Sequence, residues 1–105
     1  MPHFDMEEKN IRLHNDEYKK LMWDYTLSPD VFLHILLGEK TVGWFTQSWA
    51  IARVLENLDY YRALDLVELE TLARKWDEVK NKIHNASIRR GYEFVLQRNA
   101  VSIAR

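Results

Sequence analysis

The chain has 105 residues, 47% of them hydrophobic and 30% charged, with a formal net charge of −1 and no cysteine. That size and balance fit one folded domain and exclude a chain too polar to form a core. Without cysteine, disulfides, thiolate catalysis and cysteine-ligated zinc or iron–sulfur centres are excluded. The charge is unevenly placed. Residues 1–79 hold 9 Lys and Arg against 15 Asp and Glu, whereas residues 80–105 hold 6 against 1. Two prolines and three glycines leave few forced turns, which favours helices over a many-turned sheet.

Residues 1–14 show no sustained period. Phe4, Ile11 and Leu13 are expected to pack as a loose strap on a partly ordered segment. The acidic Met1–Glu8 stretch lacks the apolar run of a secretory signal. The longest apolar run, residues 31–37, is too short for a bilayer, which needs about twenty. Both points lead to the expectation of a soluble, cytoplasmic protein.

A first helix is expected from Asn15 or Asp16 to before Ser28, with Tyr18, Leu21, Met22 and Tyr25 on one stripe. The second is expected at 29–37. Ser28 caps it, Pro29 takes the first helical position and Gly38 supplies the left-handed stop. Residues 38–43 read as a flexible connector containing two glycines.

The third helix is expected from about Thr46 to Leu58. Phe45, Trp49, Ala52, Leu55 and Leu58 form its buried stripe, and Arg53 can pair with Glu56 on the exposed side. Asp59 is expected to cap a short helix from Tyr60 to Leu64. Asp65 with Glu68 resembles a capping box for a fifth helix, whose stripe is Leu69, Leu72, Ala73, Trp76, Val79 and Ile83. Glu70–Arg74 and Glu78–Lys82 are spaced as i,i+4 pairs. Asn85 or Ser87 caps a last helix over 86–98, with Ile88, Tyr92, Val95 and Leu96 inward. Gly91 sits mid-helix, where a close neighbour is expected to compensate for it. Residues 99–105 are expected to fray.

These elements define an all-α fold, a compact bundle or array of five to six short helices, with residues 15–98 as a single helical domain. No period-2 run predicts a sheet.

Chemistry-bearing residues are sparse. His3, His14, His34 and His84 show no metal-binding spacing, so no metal or cofactor is expected. His34 is expected to be partly buried and His84 to act as a cation at a helix end. Ser28, Ser48, Ser87 and Ser102 lie in no nucleophile turn. Asp24, Asp30, Glu56, Asp59 and Asp65 would support catalysis only if they converged in space. The chain is therefore read as non-enzymatic.

Two binding surfaces remain. Trp44, Tyr60 and Tyr61 flank the third helix and are candidate protein contacts, since Trp and Tyr dominate interface energetics. The basic set Lys80, Lys82, Arg89, Arg90 and Arg98, with Arg105 beyond it, is the candidate nucleic-acid footprint. The two apolar helices around residues 29–58 do not form a helix-turn-helix. About eight residues separate them, where that motif needs three or four.

Trp23-Asp24-Tyr25, followed by Ala50-Ile51-Ala52-Arg53-Val54-Leu55-Glu56, resembles a family of small uncharacterised helical bacterial proteins. Asn57-Leu58 stands where that pattern has a glycine. Some members lie beside nucleotidyltransferase-like toxin genes, so the resemblance implies an antitoxin or partner role. The sequence thus predicts a small protein-interaction module, antitoxin-like or regulatory, that binds a protein partner or itself and no membrane. Nucleic-acid binding through the basic C-terminal helix is the alternative.

Overall fold

The computed structural model describes residues 13–22 and 27–99. Expectations placed on His3, Phe4, Ile11, Trp23, Asp24, Tyr25 and residues 100–105 lie outside the described residues. So does the Trp-Asp-Tyr half of the resemblance.

The fold is all-α. Among the described residues six α-helices follow one another: α1 (Asn15–Leu21), α2 (Pro29–Leu36), α3 (Gln47–Asn57), α4 (Tyr60–Leu66), α5 (Leu69–Val79) and α6 (Ala86–Arg98). A single 3₁₀ turn, Lys80–Lys82, extends α5. The one extended pairing among the described residues is an isolated bridge between Val42 and Phe45.

Helix starts follow local capping chemistry. Ser28 Oγ accepts from the Val31 N–H at 3.2 Å, Thr46 Oγ1 from Trp49 at 3.3 Å and Asp59 Oδ1 from Arg62 at 2.9 Å. Asn85 Oδ1 accepts from both Ser87 and Ile88. At α1 the cap is His14 rather than Asn15 or Asp16. The Glu17 carboxylate reaches back to the His14 N–H at 3.1 Å, so Asn15 becomes the first helical residue.

The end of α2 is a two-bond stop. The Gly38 N–H reaches the Ile35 carbonyl and the Glu39 N–H reaches that of His34, with Gly38 at φ 81°. His34 spans this motif on the outside, its Nδ1 2.7 Å from Glu39 Oε1, with 55% of its side chain exposed. It was expected to be partly buried. Its position opposite Phe32, Ile35 and Leu36 turns it to solvent instead.

A second difference lies between α4 and α5. Asp65 does not begin a capping box. Burial of Ala63 and Leu66 keeps the chain helical past Leu64, so Asp65 sits inside α4 on its exposed side. Glu68 then holds the extended N-cap position of α5 without a side-chain cap.

The core is centred on α3. Ser48, Trp49, Ala50, Ile51, Ala52, Val54 and Leu55 are all buried, so apolar surface covers almost its whole circumference. Leu21, Phe32, Ile35, Leu72, Val79 and Ile83 close on it from the neighbouring elements. Trp49 and Trp76 are in this core as the stripes predicted, and Phe32 meets Trp49 edge-on at 5.8 Å.

The polar residues of α3 do a second job. Gln47 Nε2 donates to the Leu36 carbonyl at 3.1 Å and Arg53 Nε to the Leu21 carbonyl at 2.6 Å. Both acceptors end a helix, where carbonyls lack intrahelical partners. Glu56 Oε2 accepts from the His84 and Asn85 N–H groups at 2.6 and 3.0 Å, just before α6. Thus Arg53 and Glu56, expected to pair on an exposed surface, serve α1 and α6. The Ser48 hydroxyl, 2% exposed, donates to Glu78 Oε1 at 2.7 Å. Glu78 therefore faces α3 rather than Lys82.

One ion pair ties α1 to α4. Arg62 grips both Glu17 oxygens at 2.7 and 3.0 Å. That hydrogen bond, foremost, holds the Glu17 carboxyl below its ordinary value of 4.5. The stabilisation is therefore complete above that value and is lost as pH falls through the depressed one. Glu17→Gln is expected to flatten the loss of stability below pH 4.5, measured by urea unfolding across pH 2–6. Glu56→Ala is expected to cost about 1–2 kcal/mol at neutral pH, the scale of a lost helix cap, by the same measurement.

Candidate interaction surface

Trp44 stands at the tip of a two-residue turn. Val42 and Phe45 exchange both backbone hydrogen bonds, at 2.9 and 3.3 Å, and Gly43 takes φ 58° between them. The positive φ is what requires glycine there. The connector over 38–43 is thus fixed at each end, by the Gly38 stop and by this turn. Gln47 packs over Gly38 so closely that an added Cβ would lie 2.9 Å from its Nε2.

The turn presents an aromatic series. Trp44 lies on Phe45 with ring centroids 4.3 Å apart, and Phe45 lies on buried Trp49 at 4.6 Å. Trp44 also meets Trp49 edge-on at 6.2 Å, and the Arg53 guanidinium covers the Trp49 ring at 5.6 Å. One face of Trp44 is consequently supported while 60% of the residue remains exposed. It borders an open groove of about 350 Å³ whose other walls include Glu56, Lys82 and His84.

Tyr60 and Tyr61 open α4, 40% and 80% exposed, with rings 5.2 Å apart. Tyr60 also packs on Tyr92 of α6 at 5.8 Å. These tyrosines follow the C-terminus of α3, whereas Trp44 precedes its N-terminus. Eleven helical residues span about 16 Å, so Trp44 and the tyrosines form two patches, not one. The grooves beside them share the Glu56 wall.

The second groove, about 290 Å³, is lined by Leu55, Leu58, Tyr60, Ile88, Gly91 and Tyr92, besides Glu56. Gly91 contradicts its expected role. A Cβ built there meets nothing within 4 Å, so none of the described residues compensates for its helix cost of about 1 kcal/mol. The last helix is also less buried than its stripe implied. Tyr92 alone is fully buried, while Ile88, Val95 and Leu96 are half-buried. Phe94, which the stripe leaves out, is 57% exposed, with the Arg98 guanidinium 5.6 Å from its ring. Its angular distance from Tyr92 and Leu96 on a helical wheel carries that signal.

The basic residues do not act as one strip. Arg89 donates to the Ile83 carbonyl at 3.1 Å, Lys80 lies 3.6 Å from Asp77, and Lys82 borders the Trp44 groove. Arg90 and Arg98 are exposed on α6. His84 is exposed beyond the 3₁₀ turn, its backbone held by Glu56.

The carboxylates considered for catalysis are dispersed among local tasks. Asp30 lies in the first turn of α2, Asp59 caps α4, Asp65 approaches Arg62, and Glu56 holds two backbone N–H groups. Among the described residues, no three His, Asp or Glu side chains gather as a metal-binding group, and no helix is long and apolar enough to cross a membrane.

No protein-family model matches the chain, and no curated protein or solved structure shows significant similarity to it.

Burial, foremost, pushes the Tyr92 phenol up to about 12. A raised value means that the folded chain holds this proton more tightly than the unfolded one. The contribution is complete below pH 10 and is lost as pH climbs from about 10 toward about 12. Tyr92→Phe is expected to unfold less steeply with pH over that window, measured by urea unfolding from pH 9 to 12.

Proposed function

We propose that the chain is a small non-catalytic protein-interaction module, antitoxin-like or regulatory, working through its exposed aromatic residues. The observation that carries this reading is Trp44. A tryptophan that needs only to be buried would not occupy the tip of a tight turn with 60% exposure. The hydrogen-bonded turn and the Phe45–Trp49 stack hold its ring in place before any partner arrives. An anchor already ordered loses less side-chain freedom on binding, which favours affinity. The Tyr60–Tyr61 pair supplies a second contact at the other end of α3.

Trp44→Ala is expected to weaken partner binding about thirtyfold or more, the scale of an interface hot spot. The helical circular dichroism should stay unchanged, because the residue removed is not in the core. The check is quantitative co-purification with the tagged parent chain and the variant, followed by titration of the protein recovered. Equal recovery by both chains would end this reading.

A further inference from the structure

This inference rests on the interaction reading and names the chemistry of the partner. It starts from the charges around the groove between the end of α3 and the first half of α6. Leu55, Leu58 and Ile88 give that groove an apolar lining, and the rings of Tyr60 and Tyr92, 5.8 Å apart, give it an aromatic one. Glu56 is the one charged residue among the described residues that line it. Its Oε2 accepts the His84 and Asn85 N–H groups, and among the described residues none is hydrogen-bonded to its Oε1. Asp59 adds a second negative charge. Burial is the main reason that the Tyr92 phenol is pushed up, but Tyr60 and the Asp59 carboxylate add to it, so that carboxylate acts on this wall.

The neighbouring cations are turned elsewhere. Arg62, the cation of α4, grips Glu17, and Arg89 donates to the Ile83 carbonyl. Arg90 follows Gly91 directly, and successive residues on a helix do not share a face. Arg98 lies two turns beyond Gly91, about 10 Å along the axis, against the Phe94 ring. Lys82 and His84 border the other groove, beside Trp44. The α3–α6 groove thus joins apolar surface and aromatic rings to net negative charge. Gly91 lines it too, so a long side chain at that position would take up part of its space.

That combination is complementary to a cationic side chain with an aliphatic stem. Such a side chain buries its methylenes on apolar surface and keeps its head among polar groups. Aromatic rings and carboxylates both attract the head. Arginine suits the site better than lysine, since its flat, weakly hydrated guanidinium stacks on rings. An acidic segment or a phosphate backbone would meet Glu56 and Asp59 as like charges. At about 290 Å³ the groove falls just short of the roughly 300–1,000 Å³ that encloses a small molecule, but it houses one side chain. Tyr61, 80% exposed beside Tyr60, supplies contact surface outside the groove that a protein segment reaches and a small amine does not. Asp65, one turn along α4 from Tyr61, adds a carboxylate there, partly offset by Arg62 at 3.9 Å.

We infer that the groove between α3 and α6 is a docking site for an arginine presented by a basic segment of a partner protein. Its methylenes lie over Leu55, Leu58 and Ile88. Its guanidinium lies against the tyrosine rings and faces the Glu56 and Asp59 carboxylates.

The probe is an acetylated, amidated pentapeptide with a central arginine between leucine and alanine residues. Its control carries citrulline, which has the same shape without the charge. Titration into the ¹⁵N-labelled full chain is expected to give saturable amide shifts at residues 55–60 and 88–92, with the citrulline peptide at least about tenfold weaker. Glu56→Gln keeps a carbonyl oxygen for the His84 and Asn85 N–H groups, and Asp59→Asn keeps a helix cap. Both remove charge while preserving the structural role. Each is expected to weaken the arginine peptide about threefold, and the pair at least about tenfold. Gly91→Leu is expected to weaken it to a similar extent. Circular dichroism of each variant establishes that it is folded.

Absence of saturable shifts, equal affinity for the citrulline peptide, or indifference to the double variant would each overturn the inference. So would acetylarginine amide binding as tightly as the peptide, which would assign the groove to a small cation. Self-association in sedimentation that the double variant abolishes would assign it to a second copy instead. A co-purified partner lost on Trp44→Ala but retained by the double variant would leave the interaction reading standing and remove this one.

Discussion

The structure depends on the double demand placed on α3. A short helix buried on nearly every side must still do something with its polar residues, because an unsatisfied buried polar group is costly. Here four of the five polar residues are directed to other elements, while Asn57 donates to the Arg53 carbonyl of the same helix. Gln47 serves the end of α2, Ser48 meets Glu78 of α5, Arg53 serves the end of α1, and Glu56 serves the start of α6. The same eleven residues therefore supply both the apolar centre and the directional bonds that orient four neighbours around it. Apolar burial provides the drive but little orientation, while these bonds fix where each helix ends relative to α3.

That arrangement explains how a chain this small can keep large aromatic residues outside. The core is filled by residues of α3 and the faces closing on it, with Trp49 and Trp76 as its largest members. Trp44 is then free to stand on a turn, backed by Phe45 and Trp49 rather than inserted among them. The outer face of α6, with Phe94, is likewise exposed, since Tyr92, Ile88 and Leu96 pack the opposite side of that helix against the core. Exposed aromatic residues held by a rigid base are what a binding module requires, because order in the free state reduces the entropy lost on association.

Much of the architecture was legible in local patterns. Ser28-Pro29 and Gly38 bracketed α2, Asp59 announced α4, and Asn85 began α6, each because a cap acts through one or two backbone groups nearby in sequence. The stripe through Leu72, Trp76, Val79 and Ile83 marked a buried face even across the change from α-helix to 3₁₀ turn. Local pattern misled where two readings competed. Asp65 and Glu68 have capping-box spacing, but burial of Leu66 carried the helix through them. His34 shares an apolar helix yet points outward, because sequence proximity to apolar residues is not the same as sharing their face.

The candidate surfaces divide in the same way. Chain order alone determined that Trp44, Tyr60 and Tyr61 would flank the third helix, since residues beside a helix must lie near its ends. Tertiary structure alone decided that Trp44 would be supported by Trp49, that Tyr60 would reach Tyr92, and that the basic residues would separate into different environments. It also left Gly91 and Phe94 uncovered. Helical periodicity is a property of neighbours along the chain, whereas exposure is decided by which distant element arrives to cover a face, and none of the described elements covers this one.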